Sequence, residues 1–228
     1  MHNHKSFLAI IPARGGSKRL PRKNLLELNG KPLISWSIEA GQKSKYIDEV
    51  IVTSDDDEIL TVSKKCGCKV IKRPPELASD LSTTFEAIEH VINSTKKYDY
   101  IVLLQPTSPL RTAVNIDEAI ELLETKNADA IVSVSETEHS PLWCNILPED
   151  GSMKGFLKSE LKNVRSQDLP VFYRLNGAIY IIKCENLLDE KTFMIDENIF
   201  SYVMSASASI DIDSELDFKL ANAIIGVE

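Results

Sequence analysis

The residues with the clearest chemical potential lie in the segment Pro12-Ala13-Arg14-Gly15-Gly16-Ser17-Lys18-Arg19-Leu20-Pro21-Arg22-Lys23-Asn24. It holds five cations and no acid, in a chain of net charge −8. Adjacent glycines after a strand let backbone amides approach an anion. Arginine meets phosphate oxygens bidentately, and lysine acts as a mobile point charge. A triphosphate calls for that combination. The spacing matches neither the P-loop nor the dinucleotide-binding glycine motif, which disfavours a P-loop ATPase and a dinucleotide dehydrogenase. A second group is Ser209-Ile210-Asp211-Ile212-Asp213. In an extended segment the two carboxylates share a side, and they repel unless a cation sits between them. Magnesium on a nucleotide takes one or two carboxylates plus phosphate oxygens. Asp213 is equally suited to cap the helix that follows, whereas Asp211 has no such structural role. Asp55-Asp56-Asp57 suits capping and dipole compensation at a helix start better than metal binding.

Two further clusters offer polar groups for a second ligand. Leu104-Gln105-Pro106-Thr107-Ser108-Pro109 is a proline-rigid turn after a strand, and it presents the Gln105 amide. In Tyr173-Arg174-Leu175-Asn176-Gly177-Ala178-Ile179-Tyr180, alternation puts Arg174 and Asn176 on one side, a pairing suited to a carboxylate and hydroxyls. Arg165 belongs with this group.

The elements that must position these residues read as alternating strands and helices. Short apolar runs at 7–13, 50–54, 69–72, 100–104, 130–134 and 177–182 predict strands. Helical spacing predicts helices at 32–43, 55–66, 83–94, 112–124 and 214–225, with Asp55 or Asp56 and Thr112 as caps. On the last helix, Leu216, Leu220, Ala223 and Ile224 suit a core face. This order predicts an α/β fold: a Rossmann-like, mostly parallel sheet with helices on both faces and ligand loops along one rim. Residues 138–170, broken by prolines and glycines, predict an excursion from the sheet within one domain spanning 1–228. Their apolar groups, among them Leu142, Trp143, Ile146 and Phe156, are hard to leave exposed on a monomer.

At 228 residues and 43% hydrophobic, the composition is that of a globular chain. The acidic balance argues against a nucleic-acid partner, and no apolar run approaches the roughly 18 residues a membrane span needs. The N-terminal segment lacks signal-peptide architecture, so the expected location is cytoplasmic. Cys66, Cys68, Cys144 and Cys184 do not form a paired zinc spacing.

Together these segments resemble the CMP-sialic acid synthetases, or acylneuraminate cytidylyltransferases. IIPARGGSKRLPRKN (10–24), RPPELASD (73–80), LLQPTSPLR (103–111), RLNGAIY (174–180) and SIDIDSELD (209–217) occur in the family's order. The ketodeoxyoctonate cytidylyltransferases share the IPAR start, but have Gly-Lys where this chain has Arg22-Lys23-Asn24 and an Asp where it has Gln105. The resemblance implies transfer of a cytidylyl group from CTP to an acidic nine-carbon sugar, N-acetylneuraminate or a close relative, with release of pyrophosphate. It implies that Arg14 and Lys23 hold the triphosphate, with Gly15, Ser17 and Lys18 beside them. Asn24, Arg73 and the 77–82 segment, including Ser79 and Ser82, would surround cytidine. Gln105, Arg174, Asn176 and Tyr180 would line the sugar pocket, and Asp211 and Asp213 would hold Mg2+. Residues 138–170 would be a dimerisation arm of a homodimer, carrying Arg165 to the partner's site. Some members carry a Lys after His-x-Pro-Leu where this chain has Trp143, which leaves legionaminic and pseudaminic acids as alternative sugars. The catalytic set is then Arg14, Lys23 and Asp211, with a magnesium on Asp211 lowering the pKa of the attacking hydroxyl. A non-catalytic nucleotide-binding module would keep the basic loop but need no carboxylate pair.

Overall fold

A computed structural model of the protein describes residues 4–79 and 81–226. In chain order the strands and helices are β1 (Phe7–Pro12), the short pair β2 (Glu27–Leu28) and β3 (Lys31–Pro32), α1 (Leu33–Lys43), β4 (Glu49–Ser54), α2 (Asp57–Lys65), β5 (Lys69–Lys72), α3 (Thr84–Asn93), β6 (Tyr100–Leu103), α4 (Ala113–Thr125), β7 (Ala130–Glu136), β8 (Tyr173–Lys183), α5 (Cys184–Glu190), β9 (Ile199–Met204) and α6 (Glu215–Ile225).

Seven strands form one sheet in the order β5-β4-β1-β6-β8-β7-β9. Every neighbouring pair is parallel except those of β8, which runs antiparallel to β6 and β7. The unbroken apolar run of β1 explains its central place. Phe7, Ala9 and Ile11 face a core shared with α1, α2 and α4, while Leu8 and Ile10 face one shared with α3 and α5. A strand buried on both faces has no solvent side to alternate with. α6 closes a smaller third core, in which Ala221 and Phe218 pack with Leu28, Leu33 and Ile212.

Helix starts follow local chemistry. Asp56, not Asp55, caps α2, accepting from the amides of Glu58 and Ile59. Thr83, Thr112 and Ser214 open α3, α4 and α6 with reciprocal capping boxes, each worth about 0.5–2 kcal/mol. Two expectations about α6 change. Its cap is Ser214, one residue past Asp213, because Ser214 has Asp217 at the position that completes the box. Its core face is Phe218, Ala221 and Ile225, while Leu216 and Leu220 are 66% and 49% exposed.

Residues 137–172 leave the sheet between β7 and β8 and return to the same place, where the Thr137 amide donates to the Phe172 carbonyl. Three short 3-10 turns, Pro141–Trp143, Ser159–Leu161 and Ser166–Asp168, are the regular structure in this excursion. Ile146, Leu147 and Met153 are 90%, 57% and 61% exposed. Among the described residues no helix is long and apolar enough to cross a membrane, and all four cysteines are free.

Candidate active site

Because β1, β4, β5 and β6 are parallel, the loops at their carboxyl ends meet on one rim, as open α/β sheets require. The cavity there is about 500 Å³. The β1 loop contributes Arg14, Ser17, Lys18, Arg19, Lys23 and Asn24 to its lining. Arg73, Ser79 and Ser82 come from the segment after β5, and Gln105 and Thr107 from the turn after β6. Most residues expected at the nucleotide are therefore brought together. Asp80, within the segment expected around cytidine, lies outside the described residues.

The basic loop is held by carboxylates on two sides. Arg22 has left-handed backbone, with φ 54°. Its guanidinium donates to Asp56 Oδ2 at 3.2 Å and also pairs with Glu58, tying the loop to the start of α2. Burial alone would raise the Asp56 carboxyl, but the Ile59 and Glu58 amides and Arg22 outweigh it and hold the group below its ordinary value. On the other side, Lys23 Nζ donates to the Ile212 carbonyl at 2.8 Å and to Asp213 Oδ1 at 3.0 Å, and Arg19 donates to Asp213 Oδ2 at 3.0 Å. Gly15 serves a different purpose from the one its place in the loop suggests. Its amide donates to Asp55 Oδ1 at 3.2 Å, and a Cβ there would come within 2.8 Å of Asp56 Oδ2. The glycine thus permits close packing of loop on helix, and its amide is turned to the Asp55 carboxylate.

Two polar groups in the nucleotide half are incompletely used. Asn24 donates from Nδ2 to the Arg14 carbonyl at 3.1 Å, while its buried Oδ1 has no partner. Arg73 reaches the Leu77 and Thr53 carbonyls only at 3.4 Å, and its buried Nε has none. Burial pulls the Arg73 pKa down, opposed by Asp55. Buried polar atoms without partners are uncommon in finished cores, and both residues line the cavity.

The sugar-side residues divide. Gln105 lines the cavity. Arg174 and Asn176 do share a side, but what they meet there is Ser209. Arg174 Nη2 donates to the Ser209 carbonyl at 3.5 Å, and Asn176 Nδ2 donates to Ser209 Oγ at 2.9 Å. Asn176 is 1% exposed, and its Oδ1 accepts from Ser133 Oγ and the Ala178 amide. Its amide is consumed in bracing the bulge of β8 and the turn before Asp211, so it is not displayed to a ligand. Tyr180 is half-buried, edge-on to Phe193, with its phenol pKa raised by burial and then by Asp211. Arg165 lies on the excursion, outside the cavity lining, and forms a two-point pair with Asp168 at 2.7 and 3.2 Å.

Asp211 stands between the two halves. Burial pushes its carboxyl pKa up, with a contribution from nearby Asp213, against the effects of Thr107 and Lys23. Its buried Oδ1 has no partner. The described residues contain no group of three or more His, Cys, Asp or Glu side chains poised around a metal. A nucleotide-borne Mg2+ needs fewer, because phosphate and water complete its shell. An orphaned, buried carboxylate oxygen with a second carboxylate beside it fits that requirement. Thr107, which the proline-rich turn places next to Asp211, escaped sequence reasoning, as did the two straps on the basic loop.

The chain has relatives among known proteins in both sequence and fold. The family model described as cytidylyltransferase matches residues 8–195. The chain is 36% identical over 219 residues to the N-acylneuraminate cytidylyltransferase of Escherichia coli, matching 96% of this chain and 52% of that one. It is 34% identical to the CMP-N,N'-diacetyllegionaminic acid synthase of Legionella pneumophila, with 96% of each chain covered. The pseudaminic acid cytidylyltransferase of Campylobacter jejuni matches at 32%, again over 96% of each. The chain thus spans about half the length of its N-acylneuraminate relatives. Among solved structures, a CMP:2-keto-3-deoxy-manno-octonic acid synthetase complexed with CTP superposes with a TM-score of 0.75 at 17% identity, covering 97% of this chain and 99% of that one. Sequence and fold agree that the chain belongs to the cytidylyltransferase family.

Proposed function

We propose that the chain couples CTP to an acidic nine-carbon sugar, N-acetylneuraminate or a close relative, giving the CMP-sugar and pyrophosphate. The observation that carries this reading is a single cavity in which Arg14, Lys18, Arg19, Lys23 and Arg73 converge opposite the Gln105 turn, with Asp213 in its lining and Asp211 two residues before it. In the reaction the sugar's anomeric oxygen forms a bond to the α-phosphorus, the bond to the β-phosphate bridge breaks, and pyrophosphate leaves. Charge grows on phosphate oxygens, so cations already in place do most of the work. Arg14 and Lys18 meet the phosphates from the loop. Lys23 and Arg19 exchange Asp213 for phosphate, which releases the Asp213 carboxylate. Asn24 offers its unpaired Oδ1 to the nucleoside, and Gln105 orients the sugar. Asp211 and Asp213 would hold Mg2+, which would neutralise phosphate charge and favour ionisation of the attacking hydroxyl.

The same reading makes residues 138–170 a dimerisation arm in a homodimer. Exposed Ile146, Leu147 and Met153, with Val171, Tyr173 and Leu175 beyond them, support this. Arg165 would leave Asp168 to reach the partner's sugar pocket. The free cysteines suit a reducing, cytoplasmic setting.

The relatives matched over nearly their whole length carry legionaminic and pseudaminic names, so those acids stand beside N-acetylneuraminate. Pyrophosphate release with CTP, Mg2+ and a panel of acidic sugars tests the proposal. Turnover of at least one nine-carbon acid is expected, and nucleotide binding without turnover would favour a non-catalytic module.

A further inference from the structure

A buried arginine lies behind the sugar-side turn. Arg111 is 1% exposed. Its Nη1 donates to the Ala178 carbonyl at 3.1 Å and to the Gln105 carbonyl at 3.4 Å, while Nε and Nη2 have no partner. Burial draws its pKa down to about 9, which leaves it a cation at neutral pH. Its charge is costly to bury, because its desolvation is met by two carbonyl contacts and, among the described residues, by no carboxylate. Folding energy is therefore a weak reason for Arg111.

The two carbonyls it joins suggest a better one. Gln105 begins the turn whose side chain lines the cavity. Ala178 lies in the bulge of β8, where the pairing register slips between Val132–Tyr180 and Val134–Leu175. Gly177, inside that bulge, has φ +74°, and a Cβ there would lie 3.0 Å from Gln105 Oε1. The bulge is thus tied to the Gln105 backbone through Arg111 and leaves room for the Gln105 amide through Gly177. Ser37 Oγ holds the same Gln105 carbonyl at 3.2 Å from α1.

We propose that Arg111 and Gly177 are positioning residues for sugar selection: Arg111 straps the Gln105 turn to the β8 bulge, and Gly177 leaves the space in which the Gln105 amide is aimed. Neither touches the sugar. The inference rests on the reading of Gln105 as a sugar-side residue. It places control of the sugar in the backbone behind the turn.

The test uses the full chain with Arg111→Met, Arg111→Lys and Gly177→Ala. Two readouts are taken: the side-chain amide resonances of Gln105 without ligand, and separate KM values for CTP and for the best sugar of the panel. Arg111→Met is expected to raise the sugar KM by about tenfold, the scale of one lost hydrogen bond, and to leave the CTP KM within about twofold. Arg111→Lys should recover part of the loss, and Gly177→Ala should shift the Gln105 amide and alter the preference among sugars. A merely structural role predicts lower thermal stability with both KM values unchanged, or both raised together, and either result overturns the proposal. If Arg111→Met does not fold, the other two variants decide by the same criteria. If the wild type turns over no acidic sugar while the Gln105 amide still shifts in the variants, the strap stands and the sugar reading falls.

Discussion

The basic loop and the excursion are both irregular segments that follow a strand, yet they are built in opposite ways. The loop at 13–24 is fixed from several directions. Arg22 ties it to Asp56 and Glu58, Lys23 and Arg19 tie it to Asp213, and Gly15 packs against α2. The loop is thereby fixed before a nucleotide arrives, although Lys23 and Arg19 must still exchange Asp213 for phosphate. The excursion at 137–172 has short turns, a local Arg165–Asp168 pair and exposed apolar groups. Under the proposed function, the nucleotide half would be completed within one chain, while the sugar half would take a surface from a partner.

The largest expected effect lies at the hinge between these halves. Asp211→Asn should lower turnover on the order of 10²–10³-fold, measured as pyrophosphate release. The same variant should be more thermostable without Mg2+, by on the order of 2–4 °C per kcal/mol relieved. The sign follows from burial. The Asp211 carboxyl pKa is raised on folding, so folding disfavours its ionised form. That penalty is absent below the ordinary carboxylate range and complete above the raised value. The gain should therefore appear at neutral pH and vanish in acid, and an unchanged melting curve at pH 7 would show that Asp211 carries no burial penalty.

The claim about the excursion is broken or sharpened by complementation. Arg165→Ala and Asp211→Asn chains, each inactive alone, should regain activity when subunits exchange, because one site of the mixed dimer is intact. No recovery, or a monomer in sedimentation at micromolar concentration, would return the sugar half to the single chain. On the loop, Arg14→Ala and Lys23→Ala should each weaken CTP binding by about 1.5–3 kcal/mol with the fold intact by circular dichroism. Unchanged CTP kinetics in either would remove that cation from the nucleotide half. The smallest effect separates two neighbours. Ser214→Ala should cost about 1 kcal/mol of thermal stability through loss of the α6 cap. Asp213→Ala should cost less, since its partly exposed ion pairs contribute little, but it should alter Mg2+ dependence.

What was legible in the sequence follows from what each residue type can signal alone. β1, β4, β6 and β7 were readable because strands buried on both faces show as unbroken apolar runs, whereas β5, a half-buried edge strand, was readable only from the pair Val70-Ile71. β9 was missed because Ile199–Met204 sits at the sheet edge with mixed exposure. The reversal of β8 was not readable, since periodicity says nothing of direction. The loop cations and Asp211 stood out by type and place. Asn176 did not reveal its buried role, because alternation gives a side and not a depth. Asp213 and Ser214 are both good caps, and only Asp217, three residues past Ser214, tips the choice. Arg111 was visible within a motif, but its function depends on Ala178, 67 residues away, a contact that the fold alone creates.

The central claim is cytidylyl transfer to an acidic sugar, and the most direct measurement follows the phosphorus. CTP, Mg2+ and each nine-carbon acid are incubated with the protein, and the products are resolved by ³¹P NMR and mass spectrometry. The expected product is a new phosphodiester with the mass of CMP plus sugar less one water, formed one for one with pyrophosphate and about 10²–10³-fold more slowly in Asp211→Asn. CTP recovered intact with every acid, or pyrophosphate released without a sugar-bearing product, would contradict it.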